Sequence, residues 1–201
     1  MDLETERARF FDERAEGWEQ KCYPDKVRER IWPMVQRFAL PVGGKVLDMG
    51  TGPGTLIPYL RRALGPEGHI TAFDAAPGMV EVARGKCLDG RTKVVCASAM
   101  DMPFDSESFD AVICFAAFPH FTDKPLALRE MARVAKGGAP VIIAHLLGRK
   151  QLEAHHGSHP AVKDDHLPDD LTMRGLFTQA GLPVPEVTDL ENYNEAKARK
   201  P

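Results

Sequence analysis

Seven histidines occur in this 201-residue chain, and four of them fall between residues 155 and 166, in the stretch "LEAHHGSHPAVKDDHLPDD". Imidazoles interleaved with carboxylates suit two chemistries, proton transfer near neutral pH and metal ligation. His155 and His159 have the i, i+4 spacing of a helical metal pair, but Gly157 and Pro160 interrupt the helix that such a pair requires. "GRKQLEAHHG" reads as a helix ending at Gly157, with His155 and His156 at the negative end of its dipole. Asp169 and Asp170 read as N-terminal caps of the next helix. His159, Asp164, Asp165 and His166 then lie in a loop, expected as a lid that contacts a substrate. A metal site built from His159, Asp164, Asp165 and His166 with His145 or His120, or from His155, His159 and His166, is an alternative that is not favoured; a plain connection is another. His120, in "FAAFPHFTD", and His145, ending "PVIIAH", each follow a strand-like run and are the candidates for a catalytic base. His69 begins a strand at the other end of the sheet and reads as structural.

A second chemical signal is the loop "VLDMGTGPGT", with glycines at 50, 52 and 54 that let the backbone turn sharply and pass close beneath a ligand. A dinucleotide fingerprint, G-x-G-x-x-G, would need glycine at 55 or 57, where Thr55 and Ile57 stand. A phosphate loop would end Gly-Lys-Ser/Thr, and none does. Neither pyrophosphate-binding reading fits.

The elements that must carry these groups alternate. "KVLDMG" (45–50), "HITAFDA" (69–75), "KVVCASA" (93–99), "DAVICFA" (110–116) and "PVIIAHLL" (140–147) are nearly continuous apolar runs, the pattern of strands covered on both faces. Amphipathic helices separate them, over 54–65, in "PGMVEVARGKC", and in "DKPLALREMARVAKGG" with Leu126, Met131 and Val134 near one face. The alternation predicts an α/β fold: a Rossmann-like, doubly wound, mainly parallel seven-stranded sheet with helices on both faces. Residues 1–40 read as a helical lead-in with Phe10, Phe11, Trp18, Ile31, Trp32 and Phe38 as candidate buried positions. Residues 42–147 form the ligand-binding core, 148–170 the histidine-rich connection, and 171–201 a last helix and two strands near 184–190 and 192–198. All belong to a single expected domain. The polar "NYNEAKARKP" predicts that the last strand lies at an edge.

Composition narrows the function classes. A net charge of −3 argues against a nucleic-acid partner, which needs a basic face. Cys22, Cys87, Cys96 and Cys114 show no C-x-x-C spacing, and three sit in apolar or mixed runs expected to hold reduced core thiols. The N-terminus is charged from its second residue and no apolar run is long enough to span a bilayer, so a cytoplasmic location is expected.

The spacing D-x-G-x-G-x-G, Asp48 through Gly54, resembles the signature of the class I S-adenosyl-L-methionine (SAM)-dependent methyltransferases. Asp74, closing the second strand in "ITAFDAAPGMVEVA", matches the family's acidic residue, placed to accept hydrogen bonds from both ribose hydroxyls. "ASAMDMPFDSESFDAVICFAAFPHF" and "ALREMARVAKGGAPVIIAH" are similar to the family's third-to-fourth-strand and fifth-strand segments, and "FFDERAEGW" to the lead-in of the branch that includes quinone-biosynthesis methyltransferases. Two departures stand out. Ser98, with Ala99 behind it, replaces an acidic residue that contacts the adenine amino group, a change worth about 1 kcal/mol, the net scale of one hydrogen bond. "AKGGAP" moves the usual turn proline to position 140.

The resemblance implies SAM as cofactor, held by Asp48, Gly50, Gly52, Gly54, Asp74, Ala75, Met79, Ser98 and Ala99 with backbone contacts near Phe115; Met79 either covers the adenine or belongs to the core. It implies direct in-line methyl transfer to a small-molecule acceptor, with quinone-like phenols suggested by the branch. A histidine-lined pocket equally suits a thiol, a metalloid or a metal-chelated ring such as a tetrapyrrole. The alternative is a non-catalytic SAM- or metal-binding protein on the same fold.

Overall fold

Lys45–Met49 (β1), His69–Asp74 (β2), Thr92–Cys96 (β3), Ala111–Phe115 (β4) and Pro140–His145 (β5) pair in parallel, as their two-sided apolar sequences require. Glu186–Leu190 (β6) and Tyr193–Arg199 (β7) complete a seven-stranded sheet in antiparallel fashion, in the order β3-β2-β1-β4-β5-β7-β6. The structure, a computed structural model, describes residues 3–87, 89–157 and 162–201. His159, expected in the histidine-rich loop, lies outside the described residues. Among those described, no helix is long and apolar enough to cross a membrane.

Helices cover both faces because successive strand residues point to opposite sides. On one face Leu47, Met49, Val112, Cys114, Val141 and Ile143 pack against Lys124–Val134 (helix α7) and Asp170–Gln179 (α9). On the other, Val46, Ile70, Ile113 and Ile142 meet Ile31–Phe38 (α4), Ile57–Leu64 (α5) and Pro77–Arg84 (α6). The remaining helices are Leu3–Asp12 (α1), Trp18–Cys22 (α2), Asp25–Arg28 (α3) and Arg149–Gly157 (α8). Helix α9 starts where expected, Asp169 accepting from Thr172 N at 2.7 Å, with Asp170 as its first residue.

Three expectations need correction. First, β7 lies inside the sheet and β6 is the edge. The polar side chains of β7 are satisfied locally. Lys197 Nζ donates to the carbonyls of Arg37 and Phe38 at the end of α4, and Glu195 accepts from Tyr193 Oη at 2.5 Å. On its other face Ala196 and Ala198 are small enough to lie on the core beside Val187. Second, only Cys114 is a buried thiol: Cys96 is exposed, Cys22 and Cys87 are half-buried, and all four are free. Third, Phe10, Phe11 and Trp18 are half-buried, whereas Ile31 and Phe38 are in the core. Helix α1 has no buried residue, and its aromatic side faces a cavity instead.

Because Ala196 is fully buried against this core, Ala196→Leu must overpack it. The expected loss is about 1–3 kcal/mol, read as a lower urea midpoint with an unchanged m-value.

Candidate functional site

The strand order reverses at β1, and in an open α/β sheet the crevice at such a point, outside the carboxyl ends of the strands, is where ligands bind. A cavity of about 740 Å³ lies there. Its floor is the glycine loop after β1. Gly50 has φ +66°, and a Cβ on it would stand 2.4 Å from the Cβ of Ala117, so the chain leaving β4 rests directly on this loop. Gly52 has φ +55° and lines the cavity with nothing within 4 Å of where a Cβ would be. Its N–H donates to Asp74 Oδ2 at 2.8 Å, while Ala76 N donates to Oδ1 at 3.0 Å. Burial pushes the Asp74 carboxyl up, opposed by the N–H groups of Ala76, Gly52 and Ala75 and by nearby His120, and Asp74 lines the cavity.

Asp48 lies under the loop, buried, and accepts from Thr51 Oγ1 at 2.6 Å. It does not line the cavity; Thr51 does. Burial raises its carboxyl to about 7 against the lowering effect of the Thr51 hydroxyl. Thr55, in the same loop, is buried and lines the cavity, and among the described residues its Oγ1 has no hydrogen-bond partner. Such an orphaned hydroxyl is rare and points to a polar ligand.

At the other side of the cavity, the turn Phe118–His120 follows β4, held by Lys124 Nζ donating to the carbonyls of Pro119 and Phe121. The His120 Nδ1 lies 2.8 Å from Asp165 Oδ2, and Arg7 of α1 donates to Asp165 Oδ1 at 2.6 Å. Burial would raise the Asp165 carboxyl, but the His120 hydrogen bond and the Arg7 guanidinium outweigh it and hold it below its usual range. The backbone carbonyl of Asp165 meets His156 Nδ1 at 2.6 Å, so one residue orients two imidazoles whose centroids are 5.0 Å apart. Phe11 closes on His120 edge-on at 4.9 Å.

His145 differs. Its Nδ1 accepts from Leu147 N at 2.9 Å, and burial, with the neighbouring imidazoles and Arg30, depresses it to about 3. It is therefore neutral with its proton on Nε2, a hydrogen-bond donor where a base had been expected.

Residues 46–138 match the family model described as a methyltransferase domain. The ubiquinone/menaquinone biosynthesis C-methyltransferase UbiE of Idiomarina loihiensis is 35% identical over 123 residues, 57% of this chain and 48% of that protein. The Vibrio campbellii protein of the same name is 33% identical, over 57% of this chain and 46% of its own length. The chain thus spans about half the length of the curated relatives it matches. A SAM-dependent methyltransferase from Aquifex aeolicus has the same fold, with a TM-score of 0.77 at 21% identity over 93% of this chain and 98% of that one. A chain from the complex of the Haloferax volcanii Trm112 methyltransferase activator with a methyltransferase superposes with a TM-score of 0.78 at 22% identity, over 94% and 97%. Residues 46–138 are thus similar to methyltransferase domains, and the chain has the fold of solved S-adenosyl-L-methionine (SAM)-dependent methyltransferases.

The cavity's donors fit that cofactor. The Asp74 carboxylate, the open backbone at Gly52, the Thr55 hydroxyl and the apolar Met79, Ala99 and Phe115 are groups an adenosyl amino acid would need. Gly50 and Ala75 also line the cavity. Gly54 does not: it packs on Ala83 of α6. Nor does Ser98, whose hydroxyl pairs with Glu4 of α1 and accepts from Met100 N, leaving Ala97 and Met100 at the wall. His155 and His156 line the cavity, whereas His166 is exposed and 3.7 Å from Glu153. Among the described residues no three His, Cys, Asp or Glu side chains are grouped to hold a metal. Arg7, Phe11, Tyr23 and Thr55 line the cavity as well. Only Thr55 carried a usable sequence signal, a hydroxyl inside the glycine loop.

The raised Asp48 carboxyl makes a sign-definite prediction. The unfolded chain ionises this group near 3.8 and the folded one near 7, so its contribution to stability is full below about 4 and is lost as pH rises through 7. In ligand-free protein, Asp48→Asn should therefore gain stability relative to the wild type between pH 5 and 8, measured by urea unfolding at each pH.

Proposed function

We propose that this chain transfers the methyl group of SAM to a small-molecule acceptor by direct in-line displacement, as a single-domain enzyme without a nucleic-acid partner. One observation carries the reading. The glycine loop with Asp74 and the imidazoles of His120, His145 and His156 open into the same cavity of about 740 Å³. That volume is ample for a ligand pocket of ordinary size.

When bound, SAM supplies an electrophilic methyl group on its sulfonium. Asp74 and the backbone at Gly52 would hold the ribose side, Thr51 and Thr55 the amino-acid side, with Asp48 fixing the loop from beneath. The aromatic side chains of Phe10, Phe11, Trp18, Tyr23 and Phe121 line the same space and would exclude water and flank an acceptor. His145 presents an N–H donor that orients the acceptor. The wall made by α8 and Val162 serves as the lid expected of residues 148–170. The names of the curated relatives favour an aromatic acceptor of quinone-precursor type; the polar net charge of −3 is consistent with a small-molecule, cytoplasmic enzyme.

The test is calorimetric titration with SAM and with its demethylated product, followed by methyl transfer from radiolabelled SAM to a panel of phenols, thiols and amines. Wild type should bind both and methylate at least one acceptor. Asp74→Ala should weaken cofactor binding at least tenfold, the scale of losing charge-assisted hydrogen bonds, with the far-UV circular dichroism unchanged. Tight binding with no methylation across the panel would make the protein a SAM-binding module instead.

A further inference from the structure

Three imidazoles face the cavity with defined hydrogen bonds, and their proton positions differ. The carboxylate of Asp165 and its backbone carbonyl can only accept, so His120 and His156 both carry their protons on Nδ1. His145 accepts at Nδ1 from a backbone N–H and carries its proton on Nε2. His120 therefore presents a bare Nε2, and among the described residues that nitrogen has no hydrogen-bond partner. Its side chain is 15% exposed and lines the cavity beside Phe11, in the turn that follows β4, at the strand ends where the acceptor must sit. Behind it Asp165 is 7% exposed and clamped by Arg7. An imidazole held in one tautomer by a buried carboxylate is built to receive a proton on its other nitrogen and to be stabilised as the cation.

We infer that Asp165 is a positioning residue that sets His120 as the catalytic proton acceptor, and that the methyl acceptor is a thiol or a phenol. The inference rests on the methyl-transfer reading above. The acceptor class follows from the base: an S–H or phenolic O–H is acidic enough to pass its proton to imidazole, whereas an aliphatic alcohol is not, and an amine attacks as its free base without needing one. In the step, the acceptor's X–H bond breaks and its proton passes to His120 Nε2. The electron pair left on X forms the bond to the methyl carbon, and the pair of the broken S–CH3 bond stays on sulfur. The imidazolium, paired with ionised Asp165, returns its proton to solvent between turnovers. The charged and titratable groups around this ring are Asp165, Arg7, Lys124, Asp74, His156 and His145.

Two-bond ¹H–¹⁵N spectra of the imidazoles report the tautomer directly, with the His120 signals assigned by their loss in His120→Gln. Neutral His120 in the wild type should be protonated at Nδ1, and Asp165→Asn should shift it toward the Nε2–H form. With 4-chlorothiophenol and 4-chlorophenol as acceptor probes, at least one should be methylated. For that probe Asp165→Asn should lower kcat at least tenfold, while KM and the affinity for the demethylated cofactor stay within threefold. A wild-type His120 protonated at Nε2, or an Asp165→Asn enzyme with wild-type kcat, overturns the inference. So does failure to methylate either probe by protein that binds the cofactor. Loss of cofactor binding in the wild type itself is the distinct result that overturns the methyl-transfer reading and this inference with it. The wild-type spectrum needs no variant, so the tautomer is tested even if Asp165→Asn does not fold.

Discussion

The site depends on one close approach. A Cβ at Gly50 would lie 2.4 Å from the Cβ of Ala117, so the loop after β1 and the chain leaving β4 touch only because position 50 has no side chain. Everything on either side is set by that contact. On the β1 side the loop bends so that Gly52 N reaches Asp74 and Thr55 faces inward. On the β4 side the turn at Phe118–His120 is delivered over the same cavity. A side chain at Gly50 would separate the cofactor half of the cavity from the imidazole half before it disturbed the apolar core on either face of the sheet.

Helix α1 shows a different balance of forces. It buries no residue fully, and its apolar anchor is the half-buried Phe11, packed against Ala15, Ala76 and Met79. Polar contacts among the described residues also fix it: Arg7 to Asp165, Glu4 to Ser98, and Asp12 to the N–H of Gly78. These are not equal. Exposed pairs such as Arg9 with Glu13 contribute about 0–1 kcal/mol at best. Asp165 is buried, and stripping a buried ion of its partner costs about 3–5 kcal/mol. Among these contacts the Arg7–Asp165 pair is the one made to a buried ion.

Much of this was legible in the sequence, for a physical reason in each case. Apolar runs such as "DAVICFA" had to be strands covered on both sides, and the glycine spacing with Asp74 marked one wall of the cavity because both are local features. The order of the last two strands was not legible. The polarity of β7 argued for an edge, but Lys197 finds its partners in the carbonyls of Arg37 and Phe38, far away in the chain. The His120–Asp165–Arg7 chain was equally hidden. Its members are separated by 45 and 158 positions, and nothing in the composition of "VKDDHLP" distinguishes Asp165 from Asp164. The histidine cluster is divided by the fold: His156 is buried against the cavity, His155 is exposed at its rim, and His166 stays at the surface.

Arg7 joins cover to chemistry. The same carboxylate that anchors α1 also dictates which nitrogen of His120 is bare, so the docked helix is part of the electronic state of the site and not only its roof. With α1 lifted, Asp165 would lose its guanidinium and the imidazole behind it would lose a fixed, ionised partner. Cover and imidazole orientation therefore meet in one carboxylate: whatever shifts α1 also changes the group that His120 faces.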